Sequence, residues 1–422
     1  MGDRRDSKNR KLNKGEYQKA DGRYTYRYTD TDGQIRWIYS WRLTESDRTP
    51  AGKEHGECLR ELEVKIARDI FDGVRTGKSN GDTLNERFEN YMAIKTELKE
   101  STRVRYRYLY WKYIGERLGQ RSIIQIHYSD ILGYFAELID TYGLKPSSVR
   151  CLYNILHPIF TIAFRDGLIR QNPTDGVMAE LLRTRKGKSV RRKALTQVQQ
   201  DRFVAFLRDN PKYWRWYRLF IFLLGTGCRI GEARGLTWGD CDFEHGFIYI
   251  RRQIVYYRGE NDEKYTEHLS TPKSESGERI VPMFEPVRQV LLDEKTVQES
   301  MGVAKKTVGG CTGFIFATKG GGCIDSRNVD GAINRIIEAY NKQEAEQAKN
   351  ERRSPEFLPH FSVHNLRHTF CTRLCENETN IKVIQEVMGH ADISTTMNIY
   401  NEAQVEAKTR SFEKLEGKII RA

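Results

Sequence analysis

Fourteen residues from Leu182 to Leu195, LRTRKGKSVRRKAL, hold seven basic side chains and no acidic one. Charges of one sign at that density repel and cannot be buried together, so no hydrophobic core runs through them. The chain on either side must find a core of its own. A second break, GVRTGKSNGD at Gly73–Asp82, is rich in residues that favour turns and loops. At 422 residues there is room for two or three domains. These breaks divide the chain into residues 1–76, 83–178, a basic linker at 179–195, and 196–422.

The expected class is α+β multidomain. In the first segment a basic tail leads into RYTYRY at Arg23–Tyr28, which alternates with the period of a strand. DTDG at Asp30–Gly33 signals a turn, and Gln34–Leu43 is a second β-rich run. Ala20-Asp21-Gly22 implies an earlier turn with a short strand before it. Over Cys58–Val74, Leu59, Leu62, Ile66 and Ile70 fall on one helical face. The expectation is a small three-stranded sheet on one helix. Alternate strand positions are expected to present Arg and Tyr on one face, suited to phosphate contacts and stacking, with Arg23, Tyr24, Arg27, Arg36 and Trp37 as the candidate contacts. A plain solvated sheet face explains the pattern equally well.

Residues 83–178 carry helical periodicity. Leu84, Phe88 and Tyr91 begin one helix. Val104, Tyr108, Trp111, Gly115 and Leu118 mark a stripe on the next, whose other faces hold Arg103, Arg105, Arg107 and Lys112. Ile131, Phe135 and Leu138 mark a third, and Val149, Leu152, Leu156, Phe160 and Ala163 a fourth that stops at Gly167. Four or five such helices make a compact bundle. The basic aromatic helix suits a DNA groove; a solvated helix with a core stripe is the bland alternative. In the linker, Arg183, Arg185, Lys186, Lys188, Arg191, Arg192 and Lys193 form either a solvated tether or a strip along a phosphate backbone.

The formal net charge is +13, of which residues 1–200 carry +12. That points to a polyanionic partner, nucleic acid or an anionic membrane surface. The membrane reading is weak. No apolar run reaches spanning length, the N-terminus lacks the apolar core of a signal peptide, and Asp6 stands where a myristoylation signal needs Ser or Thr. The eight cysteines show neither CxxC nor zinc-finger spacing, which reads as free thiols in a reducing cytoplasm.

The nearly neutral second half mixes helices with a β-rich patch and carries four motifs in order. TGCRIGEARGLTWGD, Thr226–Asp240, sets Arg229 close behind Gly225 and Gly227, with Glu232 one turn on and able to hold the guanidinium. TPKSESGERIVP places Lys273 beside SESG, Ser274–Gly277, which reads as a hairpin tip. HFSVHNLRHTFCTRL puts His364 and Arg367 one helical turn apart. His364 and His368 share the spacing of a zincin, but a zincin needs Glu directly after the first His, and Asn365 stands there. MGHADISTTMNIYNEA carries His390 and Tyr400, and no tyrosine follows. Each motif alone has an ordinary reading: a salt-bridged arginine, a solvated lysine, a core aromatic.

Together they supply two arginines, two histidines, a lysine and a late tyrosine, with no Walker sequence and no carboxylate cluster for Mg²⁺. Phosphoryl transfer to a side chain fits that set. Two guanidiniums grip the non-bridging oxygens of a phosphodiester and offset charge in the transition state. A phenol attacks phosphorus and stores the ester as phosphotyrosine. Lys273 is the best type of acid for the departing 5′-oxygen. No ATP, metal or other cofactor is called for.

The set resembles the tyrosine recombinases, the lambda-integrase-type family. TGCRIGEARGLTW looks like the first arginine box of that family, HNLRHTFCTRL its HxxR box, MGHADISTTMNIY its final His-and-Tyr box and TPKSESGERIVPM its lysine hairpin. AFRDGLIRQNP closes a segment similar to the core-binding domain, and DGRYTYRYTDTDG with IRWIYSWRL resembles the arm-binding domain of conjugative-transposon integrases. The resemblance implies a small N-terminal three-stranded sheet plus helix, a helical core-binding bundle and a mixed, mainly helical catalytic domain with a small antiparallel sheet. It assigns catalysis to Arg229, Lys273, His364, Arg367 and His390, support to Glu232, and attack to Tyr400. It implies integration and excision of a mobile element by a cytoplasmic homotetramer on double-stranded DNA, at core and arm sites, with excisionase and DNA-bending partners and no membrane. Tyr400 lies ten residues after His390, where many members have nine, so a longer loop is expected before it. The helical tail after Tyr400 is expected to pack on a neighbouring protomer. A type IB topoisomerase uses similar chemistry without the arm-binding sheet, and a non-catalytic DNA-binding regulator would need only the basic half.

Overall fold

The Arg/Tyr run is the middle strand of a small antiparallel sheet, β1 (Glu16–Gln18), β2 (Tyr24–Thr29) and β3 (Ile35–Ser40), in that order. It packs on α1 (Leu59–Phe71), which buries Leu59 and Ile66. The computed structural model describes residues 4–31, 33–73, 82–185, 193–272, 275–302 and 306–413. Lys186, Lys188, Arg191, Arg192 and Lys273 lie outside these. The chain divides into two compact units, Met1–Ser189 and Val190–Ala422.

Within β2, alternation puts Arg27 on the face opposite Tyr24, Tyr26 and Tyr28. Tyr24 packs in a core with Leu12, Leu43 and Leu59, and its hydroxyl bonds Asp6 (3.0 Å) and Arg10 (2.9 Å). It is a structural residue, contrary to its expected DNA-facing place. Arg36 pairs in register with Tyr28, on the face opposite Trp37, and its Nε donates to Asp30 (2.8 Å).

The helical bundle follows. Thr83 caps α2 (Leu84–Ile94) through a reciprocal bond with Glu86. Next come α3 (Glu100–Tyr110), α4 (Tyr128–Asp140), α5 (Pro146–Arg165), opened by Pro146, and α6 (Val177–Thr184). The expected stripes on α2, α4 and α5 are buried. Of the stripe that begins on α3, Gly115 and Leu118 are buried, but the rest is not. Tyr108 and Trp111 are exposed, and Tyr110 and Ile114 face the core instead. Tyr110 stacks on Phe88 at 3.7 Å, and the π-helical turn Trp111–Gly115 follows. The bundle also runs past its expected end at 178. Leu181 of α6 is in the core, so the first residues of the expected linker are helix.

The second unit opens with α7 (Gln197–Asp209), α8 (Trp214–Thr226) and the short α9 (Ile230–Gly235). Two small sheets follow: β4 (Cys241–Asp242) and β5 (Phe247–Ile250) with β8 (Arg279–Pro282), and β6 (Gln253–Tyr257) with β7 (Thr266–Ser270). β7 and β8 pair in different sheets and not with each other, so they do not form the expected hairpin; Glu275–Gly277 is a 3₁₀ turn before β8, and Ser274 lies outside the described residues. Helices α10 (Glu285–Met301), α11 (Ser326–Glu351), α12 (Val363–Asn377), α13 (Ile381–Met388) and α14 (Ile393–Glu413) complete the unit. Phe203, Phe220, Phe222, Ile333 and Leu366 belong to one large core, and a smaller one joins α12, α13 and α14. This α+β, multidomain architecture agrees with the expected class.

Candidate active site

The site forms where helix ends meet buried guanidiniums. Arg229 precedes α9, and its backbone N–H donates to the Glu232 carboxylate (2.9 Å) while its Nη1 donates to the same group (2.7 Å). Helical spacing makes both bonds local, since the third residue of a helix reaches back to its cap. Arg229 is about a third exposed, whereas Glu232 is buried.

Arg367 lies on the inner face of α12 and is buried. Its Nη1 donates to the carbonyl of Gly227 (2.6 Å) and its Nη2 to that of Met388. These carbonyls end α8 and α13. Helix C-termini carry partial negative charge, which supports a buried cation. Both helices stop on a left-handed glycine, Gly227 (φ +62) and Gly389 (φ +60). A Cβ on Gly227 would lie 2.3 Å from the Phe370 ring. Burial and the neighbouring Arg229 lower the Arg367 pKa to about 10, so it stays charged at neutral pH.

His390 follows the end of α13 and is buried. Burial, with Arg367, Arg229 and Arg279 nearby, pushes its pKa down to about 4, so the imidazole is neutral at pH 7. Its Nδ1 is 3.0 Å from the hydroxyl of Thr396, a buried residue of α14. Tyr400 stands one turn further along α14, half-buried against the cluster of Phe370, Cys371 and Met388. The expected loop before Tyr400 is absent. Helix α14 begins at Ile393, so most of the ten-residue interval is helical. His364 sits on the exposed side of α12, one turn from Arg367.

The motifs therefore bring Arg229, Glu232, Arg367 and His390 together, with Tyr400 on the adjoining helix. Two members of this neighbourhood were missed in the sequence. Arg279 shares the Glu232 carboxylate (2.8 Å), and Thr396 holds the His390 ring. Arg279 stands within the GERIVP run, but nothing local ties it to Glu232, 47 residues earlier. Lys273 lies outside the described residues. No cluster of His, Cys, Asp and Glu that could hold a metal occurs among the described residues, and no helix among them is long and apolar enough to cross a membrane.

The other basic candidates are dispersed. On the sheet, Arg27 lies over the exposed Trp37 ring (5.7 Å), Arg23 over Tyr39 and Trp41, and Lys19 over Tyr39 (4.4 Å). On the bundle, Arg103 is half-buried, Arg105 is exposed, and Arg107 pairs with Glu89 (2.6 Å). Arg183 pairs with Glu180, and Arg185 with Asp140 (2.6 Å). Lys193 is exposed, and its carbonyl accepts from Asn365 (3.0 Å).

Comparison with known proteins gives the family. The model of the phage integrase family matches residues 193–407, and that of the DNA-binding domain of Tn916 integrase matches residues 1–70. The chain is 31% identical over 413 residues to the transposase from transposon Tn1545 of Streptococcus pneumoniae and to that from transposon Tn916 of Enterococcus faecalis, covering 98% of this chain and 96% of each relative. The Tn1549 transposon integrase in complex with transposon right end DNA superimposes with a TM-score of 0.66 at 27% identity, covering 79% of this chain and all of that fragment. The chain belongs to the phage integrase family and is a tyrosine recombinase of the conjugative-transposon kind, an enzyme of site-specific DNA integration and excision.

Proposed function

We propose that Tyr400 is the nucleophile of this recombinase and that Arg229, Arg367 and His390 bind the scissile phosphodiester. The observation that carries the reading is the joining of these side chains in one cationic, largely buried pocket, beside the helix that carries a half-buried tyrosine. The Tyr400 oxygen attacks phosphorus, the bond to the 5′-oxygen breaks, and a 3′-phosphotyrosine holds the strand. Lys273 protonates the leaving 5′-oxygen, and His364, one turn from Arg367, takes the phenol proton. Neutral His390 donates a hydrogen bond to a non-bridging oxygen. Rejoining reverses these steps with a new 5′-hydroxyl, and neither ATP nor metal enters the balance.

Double-stranded DNA is the partner. Residues 1–76 are assigned to arm-type sites through the Arg/Trp face, residues 83–178 to core sites, and the basic stretch within 179–195 to phosphates between them. A homotetramer on paired core sites, acting in the cytoplasm on the nucleoid with excisionase and DNA-bending partners, completes the assignment. Tyr400→Phe tests the chemistry. It is expected to bind a nicked core-site duplex with unchanged affinity and trap no covalent complex; a variant that still traps one removes Tyr400 from the role.

A further inference from the structure

Arg279 is a buried cation that the four motifs leave without a role. Its side chain is 4% exposed and donates in three directions. Nη2 reaches Glu232 (2.8 Å), Nε the carbonyl of Val387 (2.7 Å) and Nη1 the carbonyl of Gly277 (3.2 Å). One planar fork thus joins the first arginine motif, the turn after Lys273 and the end of α13. The fit is close, because a Cβ on Gly389 would stand 3.1 Å from the Arg279 Cδ and 2.9 Å from the Ser276 carbonyl. A lysine has one ammonium on a flexible stem and cannot hold three fixed acceptors in this geometry.

The charge balance gives Arg279 a second consequence. Arg229 with Glu232 alone is a neutral pair. Sharing the carboxylate with Arg279 leaves that trio one positive charge, and Arg367, held by helix-end carbonyls, adds another. The acidity of Glu232 is consistent with this arrangement: Arg279 is the strongest influence that offsets its burial, and the carboxyl is held at about 2.

We propose that Arg279 is a positioning residue for recombination: it shares the Glu232 charge so that the Arg229–Glu232 site keeps a net positive charge towards the phosphodiester, and it pins the end of α13 that presents His390. The inference rests on the reading that this pocket holds the scissile phosphate. R279K and R279Q in the full-length protein test it, by single-turnover formation of the covalent complex on nicked core-site duplexes. One duplex carries the ordinary scissile phosphate and the other an uncharged methylphosphonate. R279K keeps the charge and loses the fork, and is expected to be at least about tenfold slower on both. R279Q loses the fork and the charge, and is expected to be about 10²–10³-fold slower on the phosphate but only about as slow as R279K on the methylphosphonate, where less negative charge needs an offset. Core-site affinity within about threefold of the parent shows that both variants are folded; should R279Q fail that control, R279K decides alone. Wild-type rates for R279K overturn the positioning role, and equal R279Q deficits on the two duplexes overturn the charge role. Tyr400→Phe separates the two readings. If it still traps DNA, the phosphate pocket itself is misassigned; if it traps none while R279Q behaves as the parent, only the role of Arg279 fails.

Discussion

Two regions of this recombinase present arginine in opposite ways. On the N-terminal sheet, Arg23 and Arg27 lie over exposed aromatic rings, with Arg23 also paired to a half-exposed aspartate. In the catalytic unit, Arg279 and Arg367 are buried and fixed by carbonyls and one shared carboxylate. The first arrangement is adaptable and screened by salt, which suits a surface that meets a duplex. The second is costly to assemble and rigid once assembled, which suits stabilising charge at one phosphorus atom. Under the proposed function, the same side chain serves affinity in one place and transition-state placement in the other.

The largest expected effect comes from Arg367→Lys, which keeps the charge but loses the fork between two helix ends. Covalent trapping is expected to fall about 10³-fold with core-site binding retained. A modest loss, measured by single-turnover cleavage, would show that charge alone suffices and that the two regions differ less than their geometry suggests.

Next in size is a contrast in pH. His390 has a folded pKa of about 4 against an ordinary 6.5, so the unfolded state takes up its proton first as pH falls. This contribution to stability is whole above about pH 6.5 and is lost between there and about pH 4, on the order of 2 kcal/mol after allowance for partial solvation. In the N-terminal sheet domain the sign reverses. Burial and the adjacent Glu16 push Glu63 up to about 8, so the folded form holds a proton that the unfolded form loses. That contribution is lost as pH rises from about 4.5 to 8. Denaturant melts across pH, followed separately in the two units, check both slopes; the first is expected to vanish in His390→Gln and the second in Glu63→Gln.

Gly389→Ala sharpens the rigidity argument. It forces a Cβ against Ser276 and Arg279 at a left-handed residue, and is expected to cost about 1–3 kcal/mol in equilibrium unfolding and to slow cleavage. The smallest effects belong to the sheet. Trp37→Ala is expected to weaken arm-site binding by about 1 kcal/mol, and Arg27→Ala to lower the salt slope of that binding by about 1. A loss of several kcal/mol from either would place the sheet among rigid readers of sequence.

How legible each part was depended on the range of the interaction that fixes it. The Arg229–Glu232 bond spans three residues and is readable from helix geometry, as is the common helix of His364 and Arg367. The pairing of Arg279 with Glu232 spans 47 residues, and the Arg367 bond to Gly227 spans 140; no local pattern encodes either. Tyr24 shows a limit of a different kind. Alternation states that Arg27 and Tyr24 lie on opposite faces of β2, but the position of α1 decides which face is wet. The stripe on α3 was misplaced within the helix itself, where Tyr110 rather than Tyr108 faces the core, because a helix so rich in aromatic residues offers more than one apolar face.

By itself, then, the sequence determined the α+β class, the sheet-and-helix start, most helical faces and the motif residues with their chemical types. These follow from periodicity and short-range bonding. Only the tertiary structure decided that Arg279 completes the buried charge cluster, that β7 and β8 part into two sheets, that α14 begins before Tyr400, and that two helix ends rather than a carboxylate hold Arg367. The physical reason is that burial and long-range hydrogen bonds are properties of packed elements, fixed after each element has formed.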